Sequence, residues 1–422
     1  MENRIALSAS DECFMVGGTP KTIGSAMFFA GRPPGIEELR ELVAGRFGGL
    51  PRLRSVLLPP PPPAPAPLRR HRWLVLDDFD PVLQVRAEPP GTRLADLVEA
   101  AARRSLPGNP PPWRLRLVPR HGPDGFALLL TAHHAALDGR SLETLFGVLL
   151  DGPPAAARTP AEPRRQQTLG RLGRDLLHHA RPSRRLPGTP AGPTIAWTDV
   201  DPAAVRAARR SLPGIEVGFN DVLLATVTGV LREVHGAPSG WPGGPRPLYA
   251  LVPVDLRPSG AAGELGNALS ATRVPLPIGV DHPRDRLAAC HAALAAPGFL
   301  SRAVNAARLV RGAALLGAWA PRMAAAHGNS ASYAPVCCSS LVLRRGPWSL
   351  LGRPLTGGMV LPDMPPPGVV SFFLAGHTRT PERAVSLSLT VISHAAPPAA
   401  RLTAAFTVAL DEFAAGQAAT MR

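Results

Sequence analysis

Lysine is almost missing from this chain of 422 residues. Lys21 is the only one, so nearly all of the positive charge is arginine. The formal net charge is +15, beside 51 prolines and 41 glycines. The arginine excess has two readings. One is compositional drift on solvated faces, as in the product of a GC-rich genome. The other is attraction to anions: coenzyme A phosphates, an acidic carrier protein or an anionic membrane surface. Both stay open on sequence alone. Aromatics are only 5% of residues, with neither zinc-finger spacing nor a recognition-helix motif, so nucleic acid is set aside as a partner.

Cysteine is scarce too. Cys13, Cys290, Cys337 and Cys338 have no metal-ligand spacing, and the adjacent pair makes a poor disulfide framework. No metal is expected; reduced, mostly buried thiols in a cytoplasmic protein are. The opening residues lack the apolar core of a signal peptide. No run is as long as a membrane-spanning helix. The expected location is cytoplasmic, with peripheral contact at a membrane or lipid inclusion as a variant. Several catalytic signatures are also missing. There is no Gly-x-Ser-x-Gly elbow, no His-Glu-x-x-His, no phosphate loop and no dinucleotide fingerprint.

What remains is enough to build large cores: 45% hydrophobic against 18% charged. The length favours two halves. Apolar spacing predicts helices over 36–47, 94–106, 142–150 (capped by Ser141), 284–295 and 303–326. A further helix starts at Asn220, which can cap it. Strands are expected at 113–118, 126–132, 249–254, 267–276, 339–343, 369–375 and 385–392. Pro59 to Pro67 reads as an exposed polyproline loop. Residues 151–194, rich in Pro and Arg, read as a crossover linker between a half at 1–150 and a half at 195–422. Arg164 to Arg185 carries seven arginines against Asp175, with Leu169, Leu172, Leu176 and Leu177 on one helical face. It reads as a surface crossover helix, with contact to anionic lipid as the alternative. The irregular order gives an α/β fold with mixed sheets.

The sharpest signal is His133-His134-Ala135-Ala136-Leu137-Asp138-Gly139, directly after the apolar run Phe126 to Leu130. A strand ending in paired histidines can present one imidazole to a cleft, because neighbours on extended backbone face opposite sides. Imidazole can take a proton from an alcohol or amine attacking a carbonyl. Asp138 could orient it, as in a hydrolytic triad. The Asp-Gly pair also signals a turn, with Gly139 at a backbone angle other residues resist.

This motif resembles the active-site segment of the condensation-domain superfamily of acyltransferases. More of the chain is similar to one branch, the bacterial wax ester synthase/diacylglycerol acyltransferases. The matching segments are Leu7 to Phe14, Leu50 to Arg54, Asp77 to Asp80, Phe219 to Ala225, Val252 to Pro258 and Leu265 to Asn267. The resemblance implies two chloramphenicol-acetyltransferase-like halves in a V with a central tunnel. It implies His134 as general base, Asp138 as a strut paired with Arg257, and Gly139 as room beside the histidine. Asn220, Asp221 and Asn267 become tunnel candidates. No cofactor would be bound. Acyl-CoA, or a carrier-protein thioester, would be co-substrate, with a long-chain alcohol or diacylglycerol as acceptor.

Two segments depart from the branch. Asn109-Pro110-Pro111-Pro112-Trp113 replaces an Asp-led Pro-Leu-Trp, and Ser339 to Pro347 replaces Asn-Val-Pro-Gly-Pro. They leave the acceptor open. A standalone condensation enzyme forming an ester or amide from a carrier-bound thioester is the alternative. A catalytically silent carrier-binding module is the third reading.

Overall fold

The computed structural model describes residues 4–15, 19–60, 69–153, 175, 178–258, 263–343, 346–378 and 385–420. Two six-stranded mixed sheets dominate. The first runs in the order Ser349–Leu350, Arg353–Leu361, Thr22–Ala30, Gly125–His133, Trp113–Val118, Val85–Ala87. The second runs Leu269–Leu276, Leu248–Asp255, Val336–Leu343, Val370–Thr378, Val385–Ser393, Thr194–Val200. Val336–Leu343 is parallel to both its neighbours, while most other pairs are antiparallel. Arg4–Ala6, Arg72–Val75 and Ser55–Leu58 form a small third sheet.

The strand Gly125–His133 shows why the site faces as it does. Its side chains alternate between two cores. Phe126, Leu128 and Leu130 enter the core beneath the helix Ile36–Phe47. Ala127 and Leu129 enter a smaller core with Ala26, Met359, Leu361 and Ile392. That smaller core joins the two sheets. Met359 lies on a strand that leaves the second half and pairs with Thr22–Ala30 of the first. Ser388 adds a bond across, its hydroxyl donating to the Gly358 carbonyl at 2.7 Å. Close approach needs Gly358, where a Cβ would sit 2.7 Å from the Ala26 oxygen.

Several expectations shift. The strand Thr22–Ala30, the crossing strand Arg353–Leu361 and the closing helix Ala399–Thr420 were not legible as periodic runs. The helix expected over 303–326 is two helices, Gly298–Ala313 and Trp319–Gly328, broken at Gly317 with φ 126°. Ser141 does not cap the motif helix Gly139–Leu149; the Asp138 carboxylate does, accepting from the Ser141 N–H at 2.8 Å. Gly218, not Asn220, caps Phe219–His235. Most of the basic segment Arg164 to Arg185, and the prolines from 61 to 67, lie outside the described residues. Among the described residues no single helix is long and apolar enough to cross a membrane.

Met359 is fully buried between the halves. Met359→Ala should therefore cost about 2–5 kcal/mol. Chemical denaturation followed by tryptophan fluorescence and by far-UV circular dichroism should give one coincident, weakened transition. Two separated transitions would show that the halves unfold independently.

Candidate active site

A cavity of about 430 Å³ opens between the sheets at the C-terminal end of Gly125–His133. His134, Asp138, Gly139, Arg140 and Leu142 line it from the first half. Gly218, Phe219, Asn220, Pro253, Ser339, Ser340 and Phe373 line it from the second. The crossing segment adds Val360, Leu361, Pro362 and Asp363.

His134 follows the last strand residue, and its N–H donates to the Lys21 carbonyl at 2.7 Å. Its ring stacks on Phe14, centroids 3.6 Å apart and planes 9° from parallel. Its Nδ1 is buried with no hydrogen-bond partner. Among the described residues no carboxylate bonds this Nδ1 as in a triad, and the phenyl face packs against the ring instead.

His133 points away. It is buried, and its Nδ1 accepts from the Ala135 N–H at 3.1 Å. Burial, helped by the charges of His134 and Lys21, pushes its imidazole down to about 4. It does not line the cavity and stays neutral near pH 7. Its place is in the turn that sets up its neighbour.

Asp138 is committed elsewhere. It is 1% exposed, and its Oδ1 accepts from Arg257 Nη2 at 2.9 Å, as the notional strut requires. Its Oδ2 accepts from the Ala268 N–H at 3.2 Å. Arg257 is saturated in turn. It also donates to the carbonyls of Gly266 and Glu264, the Ser141 hydroxyl and Asp255. Burial alone would lower the Arg257 pKa, but the hydrogen bond and charge of Asp138, with Asp255, outweigh it and push it up. A desolvated charge pair survives only when its remaining donors and acceptors are satisfied, and here they are.

Gly139 is a helical residue without a positive φ, so the turn expectation fails: the Asp-Gly pair starts a helix. A Cβ at Gly139 would meet nothing within 4 Å, because the position borders the cavity. Asn220 lines the cavity, and its Oδ1 is buried without a partner. Asp221 turns from the cavity: its carboxylate accepts from the Gly218 N–H at 2.6 Å and meets His291 Nδ1 at 3.2 Å. Asn267 is a clamp rather than a wall. Its amide donates to the carbonyls of His134 and Ala135 at 2.7 and 3.0 Å, and to Asp11 Oδ1.

Sequence reasoning missed Phe14, Ser141 as a bridge and Asp363. The Ser141 hydroxyl donates to the Gly266 carbonyl at 2.9 Å and accepts from the Gly266 N–H, which joins the motif helix to the opposite loop. Its position three residues after Asp138 was the available signal. Cys337 also lines the cavity. Burial, then the Asp363 charge, pushes its thiol up to about 12, so it offers no thiolate near neutral pH. The arrangement can hold an imidazole beside a substrate between two halves.

Two outcomes follow. Asp138→Ala should lose about 3–5 kcal/mol, because it leaves Arg257 buried without its partner; an unchanged denaturation midpoint would remove the strut. His133 has a depressed folded pKa, so its contribution is full above the usual 6.5 and lost as pH falls toward about 4. Urea titrations across that window should show stability falling with acid, and His133→Asn should flatten the slope. An unaltered slope would mean that His133 is not the group taking up protons.

A model of the wax ester synthase/diacylglycerol acyltransferase catalytic domain matches residues 7–235. A Mycobacterium tuberculosis protein named as a probable diacylglycerol O-acyltransferase is 27% identical over 265 residues, which is 52% of this chain. The match spans 57%, little more than half, of that relative's length. Among solved structures, the wax ester synthase/diacylglycerol acyltransferase of Marinobacter aquaeolei VT8 superposes with a TM-score of 0.63 at 17% identity, covering 97% of this chain and 99% of that one. The first condensation domain of the calcium-dependent antibiotic synthetase gives 0.69 at 17% identity, covering 98% and 97%. These superpositions share the expected two-halved fold. With the family match over more than half of its length, the chain belongs to the wax ester synthase/diacylglycerol acyltransferase family.

Proposed function

We propose that this protein is an acyltransferase in which His134 is the general base. The observation that carries this is the division of labour in the motif: His134 borders the cavity, while Asp138 is bound to Arg257. The donor is an acyl thioester of coenzyme A, which acts as co-substrate, and the acceptor is a hydroxyl on a long-chain alcohol or diacylglycerol. His134 Nε2 takes the hydroxyl proton as the oxygen attacks the thioester carbonyl. The new C–O bond forms, the C–S bond breaks, and the proton passes to the departing thiolate. General-base help of this kind is worth about 10²–10⁴ in rate. Asn220, with its unpartnered Oδ1, offers a substrate contact.

A second reading has its own support. Ser339, Ser340, Asp363 and Ser371 make part of the wall polar. Such a wall suits a small polar acceptor, with an acyl or aminoacyl group delivered on a carrier protein to give an ester or amide. A silent carrier-binding module is disfavoured by the intact His134 beside an open cavity.

The test is thiol release from a panel of acyl-CoAs with alcohols and diacylglycerol, beside a loaded carrier protein with alcohols and amines. Release from acyl-CoA with a hydroxyl acceptor is expected. Release only from the carrier would replace the first reading with the second, and release from neither would leave the silent module. His134→Ala should lower turnover at least about 10²-fold with an unchanged far-UV spectrum; retained turnover would remove His134 as base.

A further inference from the structure

The outer corner between Gly298–Ala313 and Trp319–Gly328 carries an unusual surface. Leu315 is 86% exposed, Leu316 64%, Met323 62% and Trp319 44%. These residues adjoin one another. Leu315 and Leu316 sit in the short turn that links the two helices. The Trp319 indole N–H donates to the Leu316 carbonyl at 3.2 Å. Met323 lies one helical turn beyond Trp319, on the same face. Exposed apolar patches of this kind on a folded chain mark an interaction surface.

The segment that carries the patch has charge of one sign, and the two carboxylates that reach it from elsewhere, Glu12 on Arg322 and Asp175 on Asn305, are buried. From Ala296 to Pro335 there is no Asp or Glu, while Arg302, Arg308, Arg311 and Arg322 all fall in that stretch. Arg308 and Arg311 are exposed on the helix leading into the corner. Arg70 reaches over from the first half and donates to the Ala314 carbonyl, fixing the turn.

We propose that this corner is a lipid-contact surface, in which Leu315, Leu316, Trp319 and Met323 enter the headgroup layer of an anionic phospholipid membrane and Arg308 and Arg311 meet its phosphates. An apolar tip with basic neighbours fits that phase on both counts, and an indole favours the boundary between headgroups and chains. Leu315 is almost wholly exposed, and side chains so free of neighbours suit a deformable fluid better than a shaped protein partner. Its place in the fold adds a consequence that rests on the proposed function. Trp319–Gly328 packs on the turn Cys13–Met15, with the Cys13 thiol donating to the Pro321 carbonyl at 3.4 Å. Phe14 of that turn stacks on His134. The corner is thus joined through Phe14 to the base, so lipid contact and acyl transfer share one packed element.

The test is co-sedimentation of the full chain with phosphatidylcholine vesicles, with and without phosphatidylglycerol. Binding to the phosphatidylglycerol vesicles that weakens with added salt is expected. The triple variant Leu315→Ser, Leu316→Ser, Met323→Ser should lower partitioning roughly tenfold or more, and Leu315→Ser alone by less. Arg308→Gln with Arg311→Gln should remove the preference for phosphatidylglycerol. Far-UV spectra and melting curves should match the wild type, because every altered side chain is exposed; if the triple variant misfolds, Leu315→Ser alone decides. Wild-type protein left in the supernatant, or variants that bind equally, would overturn the proposal. So would a triple substitution whose only effect is to abolish self-association or retention by an acidic acyl carrier protein. Partitioning reads no turnover, so this result and that for acyl transfer stand or fall separately.

Discussion

The pairing of Asp138 with Arg257 is the contact on which the site depends. It joins the N-terminus of the motif helix in one half to the loop after Leu248–Asp255 in the other. Neither charge could stay buried alone. The pair holds because Ser141, Gly266, Ala268 and Asp255 take up the remaining donors and acceptors. Asn267 extends the same fastening to the carbonyls of His134 and Ala135. The loop that carries the histidine is therefore held by the opposite half, and the cavity exists only where the two halves meet.

This fastening also decides the chemistry of the motif. A carboxylate so engaged cannot orient an imidazole. His134 is positioned by Phe14 and by the Lys21 carbonyl. His133, one residue earlier, faces the other way because the strand alternates, and burial keeps it neutral. Two identical side chains in sequence thus have different roles, one in the cavity and one in the turn beneath it. Cys337, held as a thiol by burial, offers no thiolate to compete with His134.

Much of this was legible in the sequence where the signal was local. Alternation in Trp113–Val118 and helical spacing in Ile36–Phe47 gave those elements directly. The motif gave His134 and Asp138, and the resemblance gave Arg257 as its partner. Long-range features were not legible. The crossing strand Arg353–Leu361 contains Gly357 and Gly358 and follows no clear alternation, and only packing against Thr22–Ala30 explains it. Phe14 meets His134 across 120 positions of sequence, and no local pattern announces a ring stack. Asn220, Ser141 and Gly139 were misread for a shared reason: each fits a cap or turn locally, but the two helices are capped by Gly218 and Asp138 instead.

The central claim is that the cavity-facing His134, not the buried His133, exchanges the proton during transfer. Its most direct test is the pH dependence of kcat/KM, measured where the fold is intact, for the wild type and for His133→Asn. The account predicts a loss of rate on the acid side as the base protonates, with the same midpoint in both proteins. A midpoint that moves or vanishes in His133→Asn would contradict it.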